Sequence, residues 1–300
     1  MKSYHRILVF LLLVLLLTSL LSPWVAALWN LINEANPEWQ GHRYSFSRIF
    51  DRLFMILGII FFLTFRRFLK IESTSQLGLR PQRQGTRDLL KGFSLAAASV
   101  IALGLVMSLS EIFTPYFRLS LSAALQRSSK ALLAALTVGL LEEIFFRGII
   151  FKGLLEDWKP ASAFLATNLF YSAIHFVKPA EKVSLSSLDP WAGIYHLIYS
   201  FQPFLDPMPL FPGLFGLFLI GIVLSYAFLR TGSLYLSIGL HAGWIFGLKT
   251  LRVYGDYRRE ELGWLFGSSE PKVISGVASW IGVLIVGVIV HWITAKKTES

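Results

Sequence analysis

Two carboxylates and a guanidinium lie close together in an otherwise apolar stretch of the sequence. Glu142, Glu143 and Arg147 interrupt a predicted helix over residues 131–155 that is rich in leucine, isoleucine and phenylalanine. Glu143 and Arg147 are four residues apart, the spacing at which helical side chains meet, so they can pair and lower the cost of burying both charges. Glu142 points about 100° away from Glu143 on the helix. It is therefore the carboxylate left for chemistry, and a candidate general base.

Two histidines also fall inside apolar stretches. His175 ends a stretch in which Asn168, Tyr171 and His175 share one helical stripe, and His241 lies within a later apolar run. An imidazole can accept a proton, polarise a carbonyl group or bind a metal ion. Because an ionisable group inside a membrane helix costs several kcal/mol on most scales, each such residue is a functional hypothesis. The two histidines and the glutamates together predict a hydrolytic site.

The composition indicates which elements must position these residues. Hydrophobic residues make up 54% of the 300 residues and charged residues 15%, whereas a soluble domain carries about 25% charge. Several apolar stretches reach the roughly 20 residues that cross a bilayer as a helix. We therefore predict an all-α fold, a polytopic transmembrane helix bundle of about eight helices in an integral, multi-pass membrane protein. The predicted spans are 7–29, 46–65, 92–110, 131–155, 161–178, 210–229, 234–251 and 273–293.

The basic residues predict the partners and the orientation. The formal net charge is +10, and in a membrane protein such an excess belongs in loops that face anionic lipid headgroups. We therefore expect the lipid bilayer as a partner and no nucleic acid. The connector from Arg66 to Lys91 is rich in arginine and lysine, so the positive-inside rule predicts that it is cytoplasmic.

Prolines break the pattern of straight spans between residues 182 and 209. A re-entrant or interfacial segment fits this stretch better than a spanning helix, and His196 within it is predicted to be interfacial or solvated. We divide the chain into three consecutive parts. These are N-terminal transmembrane helices with the basic cytoplasmic connector (1–129), a core that carries the candidate site residues (130–250) and a C-terminal connector with the last helix (251–300).

The chain has no cysteine, which excludes a cysteine nucleophile, a thiolate zinc site and an iron–sulfur cluster. Two histidines and a glutamate would suit a catalytic zinc or other divalent metal, with Glu142, His175 and His241 as ligands. A water activated by a glutamate without any metal fits the same residues. The sequence leaves both alternatives open, and no cofactor is certain.

Three motifs in order resemble the CPBP family of intramembrane endopeptidases, which includes the CAAX prenyl proteases, bacteriocin-processing proteins and lysostaphin-resistance-type proteins. The Glu-Glu-x-x-x-Arg motif stands at Glu142 to Arg147. The Phe-x-x-x-His motif stands at Tyr171 to His175, with tyrosine in place of phenylalanine. The third motif begins at His241, and Ile245 stands where the family has asparagine or a similar polar residue. The resemblance covers residues 130–250.

The resemblance implies an endopeptidase that cuts a membrane-associated protein or peptide of the CAAX type. In this interpretation Glu142 with His175 activates a water, His241 polarises the scissile carbonyl, and Glu143 with Arg147 holds the helix geometry. The indole of Trp244, or a backbone group, would replace the polar residue lost at Ile245. The candidate catalytic residues are Glu142, Glu143, His175 and His241, and the supporting residues are Arg147, Tyr171 and Trp244.

Two other classes of function fit parts of the pattern. A non-catalytic relative, such as an immunity or scaffold membrane protein, would keep the same residues for folding, and Ile245 favours it. A proton-coupled transporter would also place glutamate and histidine inside the membrane, but the sequence shows no paired broken helices of the inverted-repeat kind. We expect a protease of the bacterial plasma membrane.

Overall fold

The computed structural model describes residues 1–36, 38, 44–79, 83–117, 119–179, 188–258, 262–267 and 273–295, and most of them are helical. Within these ranges the regular exceptions are two three-residue strands, β1 (Phe113–Pro115) and β2 (Gly255–Tyr257), paired antiparallel with Thr114 opposite Asp256. The predicted all-α fold is confirmed. The helices are α1 (Ser3–Ala35), α2 (Phe46–Phe65), α3 (Arg83–Leu109), α4 (Leu121–Glu143), α5 (Lys152–Asp157), α6 (Pro160–Ile174), α7 (Ala192–Tyr199), α8 (Phe211–Thr231), α9 (Tyr235–Leu251), α10 (Gly263–Phe266) and α11 (Val277–Ala295), with a π-helix (Ile144–Phe151) between α4 and α5 and short 3₁₀ turns at Thr74–Leu77, Gln202–Leu205 and Val273–Ser275.

Four helices in the described ranges are long and apolar enough to cross a membrane, namely Ser3–Ala35, Gln84–Leu109, Phe211–Thr231 and Val277–Ala295. They match four of the eight predicted spans. The helices at the other four predicted spans are shorter or more charged. α6 and α9 have 15 and 17 residues, fewer than the roughly 20 that cover a hydrocarbon core, and α2 and α4 carry several charged residues.

The chain forms two compact units. The first comprises Met1–Glu72 and Ala173–Leu210, in which α1 packs against α2 and α7. His196 on α7 is 2% exposed, and its ring lies 4.4 Å from that of Phe50 and 5.5 Å from that of Phe46, centroid to centroid. The prediction that His196 is interfacial or solvated is therefore wrong. The stretch around it folds into a short helix whose aromatic and small residues pack against α1 and α2.

The second unit comprises Ser73–Ser172 and Phe211–Ser300. Its central element is α9, which packs against α3, α4 and α8. Glycines allow α9 and α3 to approach closely, because a Cβ atom at Gly239 would overlap the Leu89 carbonyl and one at Gly243 would overlap the Phe93 carbonyl. His241 lies midway between these two glycines. The tight packing of α9 on α3 thus fixes the backbone that carries His241.

Candidate active site

The two glutamates of the first motif lie in different surroundings although they are adjacent in sequence. Glu143 is the last residue of α4 and has no exposed surface, whereas the Glu142 side chain is 29% exposed. The chain then passes from α-helix into the π-helix, a geometry that occurs frequently at functional sites. The predicted pair of Glu143 and Arg147 is present, and the structure adds that Glu142 is the more exposed of the two glutamates.

One carboxylate oxygen of Glu143 has two hydrogen-bond partners, Arg147 and His241. The Arg147 guanidinium donates to Glu143 Oε1 at 2.8 Å, and His241 Nδ1 lies 2.8 Å from the same oxygen. Since Glu143 is paired with a guanidinium, its carboxylate is ionised and accepts hydrogen bonds, so the proton belongs on His241 Nδ1. This assignment leaves Nε2 as the ring atom that faces the rest of the site.

Two polar side chains lie near Nε2 of His241. Glu142 Oε2 lies 3.6 Å from this nitrogen, and the Tyr171 hydroxyl lies 3.4 Å from it. His241 is 4% exposed and Tyr171 is 1% exposed, so the edge of the ring is nearly dry. A carboxylate oxygen and an imidazole nitrogen at this separation can both lie within hydrogen-bond distance of one water molecule.

The Arg147 guanidinium is fixed by bonds beyond Glu143. It donates to the Gly221 carbonyl at 3.1 Å and to the Ser225 hydroxyl at 3.4 Å, and it lies 4.6 Å from the centroid of the Tyr171 ring. The Ser225 hydroxyl in turn donates to the Asn168 side-chain oxygen at 2.9 Å. Residues from the π-helix, α6 and α8 thus form one buried network around Arg147.

Sequence reasoning missed Gly221 and Ser225. The only serine of the apolar α8 was the available signal for Ser225, and nothing in the sequence distinguishes the Gly221 carbonyl from its neighbours. Asn168 was placed on a stripe with Tyr171, and the structure buries both. The structure therefore adds α8 to the helices that the sequence assigned to the site.

The remaining candidates lie elsewhere or have other partners. His175 follows the last residue of α6 and belongs to the first unit, and its catalytic role stays a prediction. Trp244 is 5% exposed, and its indole N–H donates to the Ser99 hydroxyl on α3 at 3.2 Å. The Trp244 indole could act in place of a polar side chain at residue 245 only if its hydrogen bond to Ser99 were broken.

A metal centre requires at least three converging ligands. In the ranges that the structure describes, no group of three His, Cys, Asp or Glu side chains is arranged to hold a metal ion. His241 Nδ1 is already bonded to Glu143, which leaves Nε2 as the ligand atom of that ring. The zinc assignment to Glu142, His175 and His241 stays a prediction.

The part of the chain that contains this site is similar to a known protein family. Residues 124–247, less than half of the chain, match the sequence model of a family described as type II CAAX prenyl endopeptidase, Rce1-like. This segment is similar to that family. No curated protein and no solved structure matched the chain. The matched segment contains Glu142, Glu143, Arg147, Tyr171 and His241, and together with the four apolar helices the match indicates an integral membrane protein.

Proposed function

We propose that the chain is an intramembrane endopeptidase that hydrolyses a peptide bond of a membrane-associated, CAAX-type substrate. The observation that carries this proposal is the hydrogen bond from His241 Nδ1 to buried Glu143, which turns Nε2 toward Glu142. A base, an imidazole held in one orientation and a nearly dry pocket are what amide hydrolysis needs. The match to the Rce1-like family supports the reaction class.

Glu142 is the general base in this mechanism. Its carboxylate accepts a proton from a water as the water oxygen bonds to the carbonyl carbon of the scissile amide, and the carbonyl electron pair moves onto oxygen. The tetrahedral intermediate then re-forms its carbonyl as the bond from carbon to nitrogen breaks. Glu142 returns the proton to the departing amine, so the carboxylate is restored after each cycle.

His241 stabilises the oxyanion. Its Nε2 donates a hydrogen bond when the ring is protonated, and the contact of Nδ1 with the buried Glu143 carboxylate fixes the ring. A carboxylate behind a catalytic imidazole has this orienting and stabilising role in other hydrolases. Arg147 holds Glu143 in place. His175 is proposed to assist Glu142 in positioning the water.

The proposed substrate is a protein or peptide anchored in the bilayer through a lipidated cysteine near its C-terminus, cut on the carboxyl side of that cysteine. Support comes from the description of the matched family and from the four helices that are long and apolar enough to cross a membrane. A second candidate is a non-catalytic membrane protein with an immunity or scaffold role. Ile245, an apolar residue one turn after His241, favours that alternative.

The test is cleavage of prenylated and unprenylated membrane-anchored peptides by the purified full chain in lipid vesicles. The variants Glu142→Gln, His175→Ala and His241→Ala are compared with wild type. Each variant must have the melting temperature of wild type, so that a loss of cleavage is not caused by unfolding. We expect cleavage by wild type, at least about 100-fold slower cleavage by each variant, and no effect of a chelator. Activity lost on chelation and restored by zinc would instead support the metal alternative, and a wild type that cuts no peptide of the panel would favour the non-catalytic candidate.

A further inference from the structure

Tyr171 is a buried phenol whose position is closely defined. It is 1% exposed, and its ring stands edge-on to that of Phe146, with centroids 5.0 Å apart. The Arg147 guanidinium lies 4.6 Å from the ring centroid on another side. A side chain held by two such neighbours has little freedom to turn, so the hydroxyl stays at the edge of His241 where Nε2 is found.

The Tyr171 hydroxyl lies beside the imidazole of His241. The contacts with Phe146 and Arg147 involve only the aromatic ring, so packing alone does not require the hydroxyl. The contact with His241 Nε2 is 3.4 Å long, at the weak end of the hydrogen-bond range. Catalytic hydrogen bonds are often long in the absence of substrate and shorten in the reacting complex.

We infer that the Tyr171 hydroxyl is a second hydrogen-bond donor to the oxyanion of the scissile carbonyl, next to His241 Nε2. The inference deepens the proposed function and rests on it. Two donors that each lie about 2.8 Å from one oxygen can be separated by the 3.4 Å observed between Tyr171 and His241. A phenol carries its proton at neutral pH and can donate a hydrogen bond without losing it, so no proton leaves Tyr171 during the reaction.

The neighbouring candidates for this role do not meet its requirements. Ile245 lies four residues after His241, on the same face of α9, and its side chain has no donor. The Trp244 N–H donates to Ser99. Tyr171 therefore supplies from α6 the donor that α9 lacks at Ile245. This relation predicts that a donor introduced at residue 245 can substitute for the phenol.

The experiment measures kcat and KM for the peptide that wild type cleaves fastest, with the full chain in lipid vesicles. For Tyr171→Phe we expect kcat to fall by roughly 100- to 1000-fold, the usual effect of removing one oxyanion donor, with KM changed by less than about threefold. The matched control is Tyr226→Phe, since the Tyr226 hydroxyl bonds His291 between α8 and α11, away from His241. It is expected to keep the wild-type kcat.

The double variant Tyr171→Phe with Ile245→Asn separates a donor role from a packing role. An amide donor on α9 is expected to restore kcat by at least about tenfold over Tyr171→Phe, because a donor role requires a hydrogen bond rather than a particular residue. If Glu142→Gln is inactive while Tyr171→Phe retains the wild-type kcat, the role of Tyr171 is refuted and the proposed function stands. If Glu142→Gln cleaves as fast as wild type, both are refuted. If Tyr171→Phe lowers both kcat and the melting temperature, and Ile245→Asn does not restore kcat, then the role of Tyr171 is packing.

Discussion

Glu142 and Glu143 are adjacent in sequence but lie in different surroundings. Glu143 is fully buried and bonded to both Arg147 and His241 through Oε1, so its charge is matched inside the protein. The Glu142 side chain is 29% exposed, and its Oε2 lies 3.6 Å from His241 Nε2. A carboxylate that accepts a proton from water must be accessible to water. A carboxylate that only forms hydrogen bonds with two buried side chains need not be. The exposures of the two side chains agree with these roles.

Isosteric substitutions distinguish the two glutamates. In Glu143→Gln the Arg147 guanidinium loses its charged partner while fully buried, so we expect the free energy of unfolding to fall by about 3–5 kcal/mol. Glu142→Gln removes a partly exposed carboxylate, and we expect a change of less than about 1 kcal/mol with cleavage abolished. Denaturant unfolding in detergent micelles measures both values. Equal destabilisation by the two changes would contradict the assignment of separate roles.

The sequence predicted the contacts that lie within one helical turn and missed those between distant helices. The Glu143–Arg147 pair follows from a spacing of four residues. The bond between Glu143 and His241 joins residues 98 positions apart, and the bond from Arg147 to Ser225 joins residues 78 positions apart. Such contacts depend on which faces of α4, α8 and α9 meet. Helical periodicity shows which residues share a face, but it does not show which helix covers that face.

At the level of the elements, α9 carries His241 between two glycines that let it approach α3. A Cβ atom at Gly243 would overlap the Phe93 carbonyl and crowd Ala96. The sequence shows these glycines, but it does not show that they contact α3, because α3 lies far upstream along the chain. The packing of α9 on α3 therefore couples the stability of the second unit to the position of the imidazole.

Gly243→Ala tests this coupling. The added methyl group must push α9 away from the Phe93 backbone, and we expect a loss of about 1–3 kcal/mol in the free energy of unfolding together with reduced cleavage, since His241 is two residues away. Gly282→Ala on α11 is the matched control, because nothing lies within 4 Å of its added Cβ. Alanine is the better helix former by up to about 1 kcal/mol, so the control should be as stable as wild type or more so. A Gly243→Ala protein with wild-type stability and kcat would show that α3 does not restrain α9.

For the whole molecule, the sequence predicted an all-α membrane protein, while the grouping of its helices required the structure. The first unit combines Met1–Glu72 with Ala173–Leu210, and such a combination cannot be derived from hydropathy, which is a local property. The burial of His196 depends on it, because Phe46 and Phe50 come from α2 and the histidine from α7. The division of the chain at 129 and 250 stays a prediction about function rather than about contacts.

The burial of His196 predicts an acid-sensitive first unit. Burial lowers the pKa of His196 from 6.5 to about 4, and in the described part of the chain its Nδ1 has no hydrogen-bond partner. Between these two pH values the unfolded chain binds a proton at His196 and the folded unit does not. The stabilising contribution of the neutral ring is therefore complete above pH 6.5 and is lost as the pH falls toward 4.

We accordingly expect the melting temperature of the wild type to fall by roughly a few degrees more than that of His196→Leu when the pH is lowered from 7 to 4.5. Leucine keeps an apolar side chain between Phe46 and Phe50 and cannot bind a proton. His5→Leu is the control, since it removes an exposed histidine from α1 in the same unit, and it should follow the wild type at both pH values. The measurement is intrinsic tryptophan fluorescence during heating, and parallel pH dependence of wild type and His196→Leu would show that protonation of His196 does not destabilise the fold.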